Sequence, residues 1–281
     1  MRLFFILLVV WKFPHALPYA GQPAPNGLAH WIDFSFLGHD PVVLWVRMAL
    51  VLLSVPYVLG RWLPVVLPVI TALHVAALTF FNSQGFINHS LQILGMVLVA
   101  QTLVVLFFEG WKLFSKRPFP FSPRINVDSY WVFFSQGAIV VSYVTSAVSK
   151  FINSEGMWLW NTKNIPIALV RTRMQEYYSH PAASAPPAEP PLASWLVEHP
   201  GAAPWLFGPG LFFELFAFFG LWNRAFSFWT GVILIGMHRM IAEIMQLHFE
   251  MHEWALLIFF VNVPWWLWWA WRRRFPTGDP T

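Results

Sequence analysis

Eight mostly apolar runs of about 20 residues follow one another along this sequence, near 3–20, 42–60, 62–81, 89–110, 129–149, 204–221, 225–247 and 252–271. That is the length an α-helix needs to cross the hydrocarbon core of a bilayer. Of the 281 residues, 57% are apolar and only 11% are charged, against about a quarter charged in a soluble domain. Disorder, coiled coil and an ordinary cytosolic enzyme are excluded. The expectation is an all-α polytopic bundle, a single membrane domain over 1–281 with about eight spans and no soluble domain. The count becomes seven if the first run is partial. Lys12 and Pro14 interrupt that run, and Arg2 followed by LFFILLVVW has a signal-peptide look. It is read as a span or a tilted half-span.

The formal charge of +4 is no nucleic-acid signal, because the basic residues cap apolar runs instead of forming one face. With no cysteine, disulfides, thiolate metal sites and a Cys nucleophile are absent. The same basic residues set an orientation. With the carboxyl end inside, ten fall on the cytoplasmic side: Arg2, Arg61, Lys112, Lys116, Arg117, Arg124, Arg224, Arg272, Arg273 and Arg274. Four fall outside: Lys150, Lys163, Arg171 and Arg173. The expectation is a multi-pass protein of a bacterial inner (cytoplasmic) membrane with both termini cytoplasmic. The tail WWLWWAWRRR (265–274) reads as an aromatic belt followed by a basic stop. Residues 151–202 form the one long outer-side loop. Their PAASAPPAEPP stretch (181–191) reads as extended, and the part from Trp158 to Val170 as lying on the membrane.

Ionisable groups inside apolar runs are expensive and mark sites by default. Some have structural readings: Glu109 beside Lys112 anchors a helix end, Arg47 with a buried acid such as Glu214 forms a structural pair, and His74 is a hydrogen-bonded interhelical residue. Others converge in depth. His89 opens the fourth run and Lys150 closes the fifth, both on the outer side. His238 lies deeper in the seventh, and His248, Glu250, His252 and Glu253 occupy the turn before the eighth. This pattern is expected of an outward-facing cavity. The i,i+4 spacing of His248 and His252, with Glu250 or Glu243, gives a weak metal motif. A metal is not expected.

Three stretches together resemble the membrane domain of vitamin K-dependent gamma-carboxylases, within the broader horizontally transferred transmembrane (HTTM) family. They are FINHSLQILGMVL (86–98), YVTSAVSKFINSEGMWLWNTKNI (143–165) and FFELFAFFGLWNRAFSFWTGVILIGMHRMIAEI (212–244). The resemblance maps the family's Asn-His motif onto Asn88 and His89, its catalytic Lys onto Lys150, and a Glu and a His onto Glu214 and His238. It implies catalytic roles for Lys150, His89 and His238, and cofactor binding by Asn88, His89 and Trp158. The cofactor implied is a reduced quinone of the vitamin K kind, and the activity is carboxylase-like or that of a quinol-dependent oxygenase. Arg239, Ile241 and Glu243 stand where the family has other polar residues.

Two function classes stay open. One is a membrane-embedded enzyme in which an amine sheds its proton in an apolar setting and a His holds a quinone oxygen. The other is a non-catalytic integral subunit of a larger membrane complex that binds lipid, quinone or pigment. The partners expected are the lipid bilayer and, in the second class, membrane protein chains. Nucleic acid is not among them.

Overall fold

The computed structural model describes residues 1–14, 25–83, 89–115, 127–179 and 188–274. Among them every regular element is helical. The α-helices are α1 (Arg2–Lys12), α2 (Asp40–Val58), α3 (Leu63–Asn82), α4 (His89–Phe114), α5 (Val127–Asn153), α6 (Trp158–Asn161), α7 (Ile165–Ser179), α8 (Pro191–Glu198), α9 (Ala203–Leu215), α10 (Arg224–Met245), α11 (Glu250–Phe259) and α12 (Val263–Arg274). Short 3₁₀ turns lie between several of them.

Five helices, α2, α3, α4, α5 and α10, are long and apolar enough to cross a membrane. A sixth crossing is available if α11 and α12, bent by 45° at their junction, count as one broken span. The runs expected near 3–20 and 204–221 do not form single long helices. Helix α1 has 11 described residues, about 16 Å at 1.5 Å per residue. Residues 15–20 lie outside the described residues. Helix α9 stops at Leu215, with Pro209 inside it, and a 3₁₀ turn over Ala217–Leu221 follows.

The chain divides into two compact units, with the boundaries inside α5 and α11. One holds α1 to α4, the first half of α5, and the chain from Trp254 onwards. Its closest pairing is α3 with α4. Gly95 permits it, since a Cβ there would stand 3.2 Å from Leu78 and 3.7 Å from His74. Several of its buried polar groups satisfy one another, as a lipid-facing bundle requires. The Tyr57 hydroxyl donates to Gln101 Oε1 at 2.9 Å, and Gln101 Nε2 donates to Ser135 Oγ at 3.1 Å. Ser135 then donates to the Trp131 carbonyl. Thr71 and Thr102 pair at 2.6 Å. His74 is different from the expectation. It is buried, but neither ring nitrogen has a hydrogen-bond partner among the described residues, and it packs by its ring near Phe13. Glu109 pairs with Lys112 at 2.7 Å on the surface of α4, as a helix-end anchor should.

The other unit, Val140–Glu253, holds the second half of α5 and helices α6 to α10. Here the long loop departs from its expected form. Residues 158–179 and 191–198 are helical and enclose a small core of Leu169, Ala193, Leu196, Ala203 and Phe207. Leu169 of α7 is buried against α8, while Ile167 on the same helix stays exposed. Residues 181–187 of the Pro/Ala-rich stretch lie outside the described residues. Helix α5 ends in a reversal, with Glu155 and Gly156 at positive φ and the Gly156 N–H returning to the Phe151 carbonyl at 2.9 Å. Gly suits that left-handed position. Helix α10 is capped at its start by Asn223, whose side chain accepts the Phe226 N–H at 3.0 Å.

Candidate functional site

Tyr143, Ser146 and Lys150 stand at i, i+3 and i+7 on α5, which places them on one helical face. That face meets two different elements of the same unit. Near its end the Lys150 ammonium forms an ion pair with Glu214 of α9, a carboxylate only 7% exposed. Ser146 Oγ donates to the same carboxylate at 3.4 Å. The lysine also stands 5.7 Å from the centre of the Trp158 ring, within cation–π range. Trp158 itself packs against the small core of α7 and α8. Among the described residues the ion-pair partner of Glu214 is Lys150, where the sequence reading offered Arg47.

Two turns back along α5, the Tyr143 hydroxyl hydrogen-bonds His238 Nε2 of α10 at 2.7 Å, and both side chains are buried. A second imidazole completes the group. Helix α10 ends at Met245, and Gln246 takes a left-handed conformation that reverses the chain. After a non-helical stretch, α11 starts at Glu250 and returns His252 against His238, ring centres 5.6 Å apart. His252 also meets the Tyr143 ring at 6.0 Å. Phe249 covers His238 at 4.9 Å. Beside them the buried carboxylate of Glu253 pairs with Arg239 at 2.5 Å. Lys150 lies within electrostatic reach of His238, as Glu214 and Glu253 do of Tyr143.

The outcome for each expected residue is specific. Lys150, His238 and His252 gather in one unit, with Trp158 against the lysine. His89 opens α4 in the other unit. Its side chain, and Asn88 entirely, lie outside the described residues. His248 is separated from His252 by the break between α10 and α11, so the i,i+4 spacing does not put them on one helical face. Glu250 is exposed at the start of α11. Among the described residues no three His, Asp or Glu side chains gather to hold a metal ion. The sequence reading missed Tyr143 as a polar partner, Ser146, and the Arg239–Glu253 pair. The spacing of Tyr143, Ser146 and Lys150 was the available signal.

Chemically, the group is a tyrosine hydroxyl and two imidazoles between two oppositely charged pairs. Each pair is neutral as a whole, so the site is held in an apolar setting without net charge. His238 Nδ1 is buried with no hydrogen-bond partner among the described residues. An unmet polar atom beside aromatic rings suits the oxygen of a flat, lipid-soluble ring. Comparison with protein-family models, curated proteins and solved structures finds no match for this chain.

Proposed function

We propose that this chain is a membrane-embedded enzyme of the carboxylase-like or quinol-dependent kind, with Lys150 as its base and His238 as the residue that meets a quinone-type oxygen. The observation that carries this reading is the buried hydrogen bond between Tyr143 and His238, close to a lysine held by a buried carboxylate. A reduced quinone, when bound, supplies an acidic hydroxyl and reducing electrons. The remaining chemistry belongs to the chain. To act as a base Lys150 must first give up its proton, and the Glu214 carboxylate paired with its ammonium is the acceptor beside it. His238 keeps Nε2 on Tyr143 and offers Nδ1 to a ligand. His89 retains the part that the family resemblance gives it.

The reading includes a topology finer than the five long helices alone. Eight spans, with α1 as a part span and α9 continued by its 3₁₀ turn, put both termini in the cytoplasm of a bacterial inner-membrane protein. Ten basic residues inside against four outside support this orientation.

A second reading has its own support. A lysine paired with Glu214 and facing Trp158 is also what a helix-end anchor needs, and this favours a non-catalytic subunit of a membrane complex. Purification of the wild type and of Lys150→Arg, with extraction of bound quinones and partner chains, decides between them. Arginine keeps the charge and the ion pair but holds its proton at every accessible pH. The enzyme reading expects a co-purifying quinone that turns over in the wild type and is inert in Lys150→Arg. A stoichiometric partner chain, with the variant indistinguishable from the wild type, establishes the subunit reading instead.

A further inference from the structure

At the carboxyl end of α10 a cavity of about 430 Å³ is lined by Thr172, Ala242, Glu243, Gln246 and His248. None of Tyr143, His238 and His252 lines it, and its described lining has the opposite character, with no Phe, Tyr or Trp and with oxygen acceptors on Thr172, Glu243 and Gln246. Glu243 is a carboxylate with no ion pair among the described residues. Arg239, one turn earlier and well placed to neutralise it, pairs with Glu253. Gln246 carries a buried side-chain oxygen without a hydrogen-bond partner among the described residues. The Thr172 hydroxyl donates to the Ala168 carbonyl at 2.9 Å, which leaves its oxygen as an acceptor. The negative end of the α10 dipole falls at the same place. Arg171 and Arg173 sit about 100° around α7 on either side of Thr172 and are not among the lining residues.

We infer that this cavity binds a primary ammonium group. A cation with several N–H donors meets the carboxylate, the unmet amide oxygen and the hydroxyl together, whereas an anion would meet repulsion from the Glu243 carboxylate. Glu243 and His248 are too few to hold a metal ion, in line with the described residues as a whole. The site lies where the 22-residue helix α10 ends, at the level of lipid headgroups if α10 is a span. The ammonium can therefore belong to an aminated lipid headgroup or to a free amine, and its chemistry is the same in both.

The test uses the full chain in nanodiscs. In one arm, ethanolamine is titrated calorimetrically into nanodiscs of phosphatidylglycerol alone. In the other, native mass spectrometry counts lipids retained from equal phosphatidylethanolamine and phosphatidylcholine. Binding of ethanolamine identifies a free-amine site. Retention of phosphatidylethanolamine alone, with the trimethylated phosphatidylcholine lost, identifies a headgroup site. In either case Glu243→Gln weakens binding at least about tenfold, the loss of one charge-assisted contact, and Glu243→Lys abolishes it. Glu243 is exposed, so neither variant disturbs the core, and an unchanged thermal transition checks this. Absence of binding in both arms, or binding by Glu243→Gln equal to the wild type, overturns the inference.

Discussion

At the scale of single residues, what the sequence exposes is cost. Lys150, His238 and His252 can be picked out because an ionisable group in an apolar run needs a reason to be there. Tyr143 cannot, since an aromatic residue in such a run is ordinary and its hydroxyl partner lies 95 positions away. Glu214 was visible, but its partner was not, because sequence alone does not say which cation a buried acid meets. The Lys150–Glu214 pair gives the first prediction. Removing one member leaves the other charge buried and unmatched, while removing both leaves only packing. With Lys150 about a third exposed (32%), Lys150→Met and Glu214→Leu are each expected to cost about 1–3 kcal/mol in detergent unfolding. The double variant should recover most of that, and additive losses would show that the two do not act as a pair. A second prediction concerns Asp33, whose carboxylate accepts the Ser35 N–H at 2.8 Å. That bond holds its carboxyl below the usual carboxylate range. The sign follows: the contribution to the Ser35–Gly38 turn is complete above the unfolded value near 3.9 and is lost as pH falls through the lower folded one. An NMR titration of Asp33 should give a midpoint below that of Asp33 in a short peptide.

At the scale of elements, hydropathy finds where the apolar segments are, but not where they break. The run near 252–271 is continuous in composition. In the structure it bends by 45° between α11 and α12. The cause is local. Asn262 adopts a left-handed conformation, φ 59°, and its side chain accepts the Trp265 N–H at 3.2 Å, capping α12 just before Pro264. Asparagine tolerates that conformation and a β-branched residue does not. Asn262→Val should therefore cost about 1–3 kcal/mol through backbone strain and loss of the cap. Asn262→Gly should cost well under 1 kcal/mol. Thermal unfolding of the two variants measures the difference, and equal losses would mean the bend is set by packing alone. The 151–202 segment escaped for another reason. Its amphipathic residues fit a membrane surface as well as a partner helix, and period alone does not say which. The packing of α7 on α8 supplies the partner helix for Leu169 and leaves Ile167 exposed.

At the scale of the whole molecule, the span count turns on α9. Its 13 residues give about 20 Å of helix, and the five residues of the following 3₁₀ turn add about 10 Å. End to end that matches the hydrocarbon thickness of about 30 Å. The contacts follow the same course. The cluster around Ala203 and Phe207 takes in Ile244 and Met245 at the end of α10. A Cβ on Gly210 would stand 3.6 Å from Met237. The 3₁₀ turn packs along α10, which starts three residues after it. The segment thus runs antiparallel to α10 over most of its length, although no single helix in it is long enough to register as a span. If α10 crosses the bilayer, α9 with its turn crosses beside it. This decides the side on which the 151–202 segment lies. With α9 crossing, that segment and the carboxyl end of α10 share one face, the outer one under the proposed orientation. Without it, the segment falls on the face where α10 starts. Because the chain has no native cysteine, Ala185→Cys is a clean reporter. In oriented inner-membrane vesicles and intact spheroplasts, a membrane-impermeant maleimide is expected to label it from the outer side alone. Labelling only from the cytoplasmic side would remove α9 from the spans and reverse the side assigned to the end of α5, with Lys150 going with it.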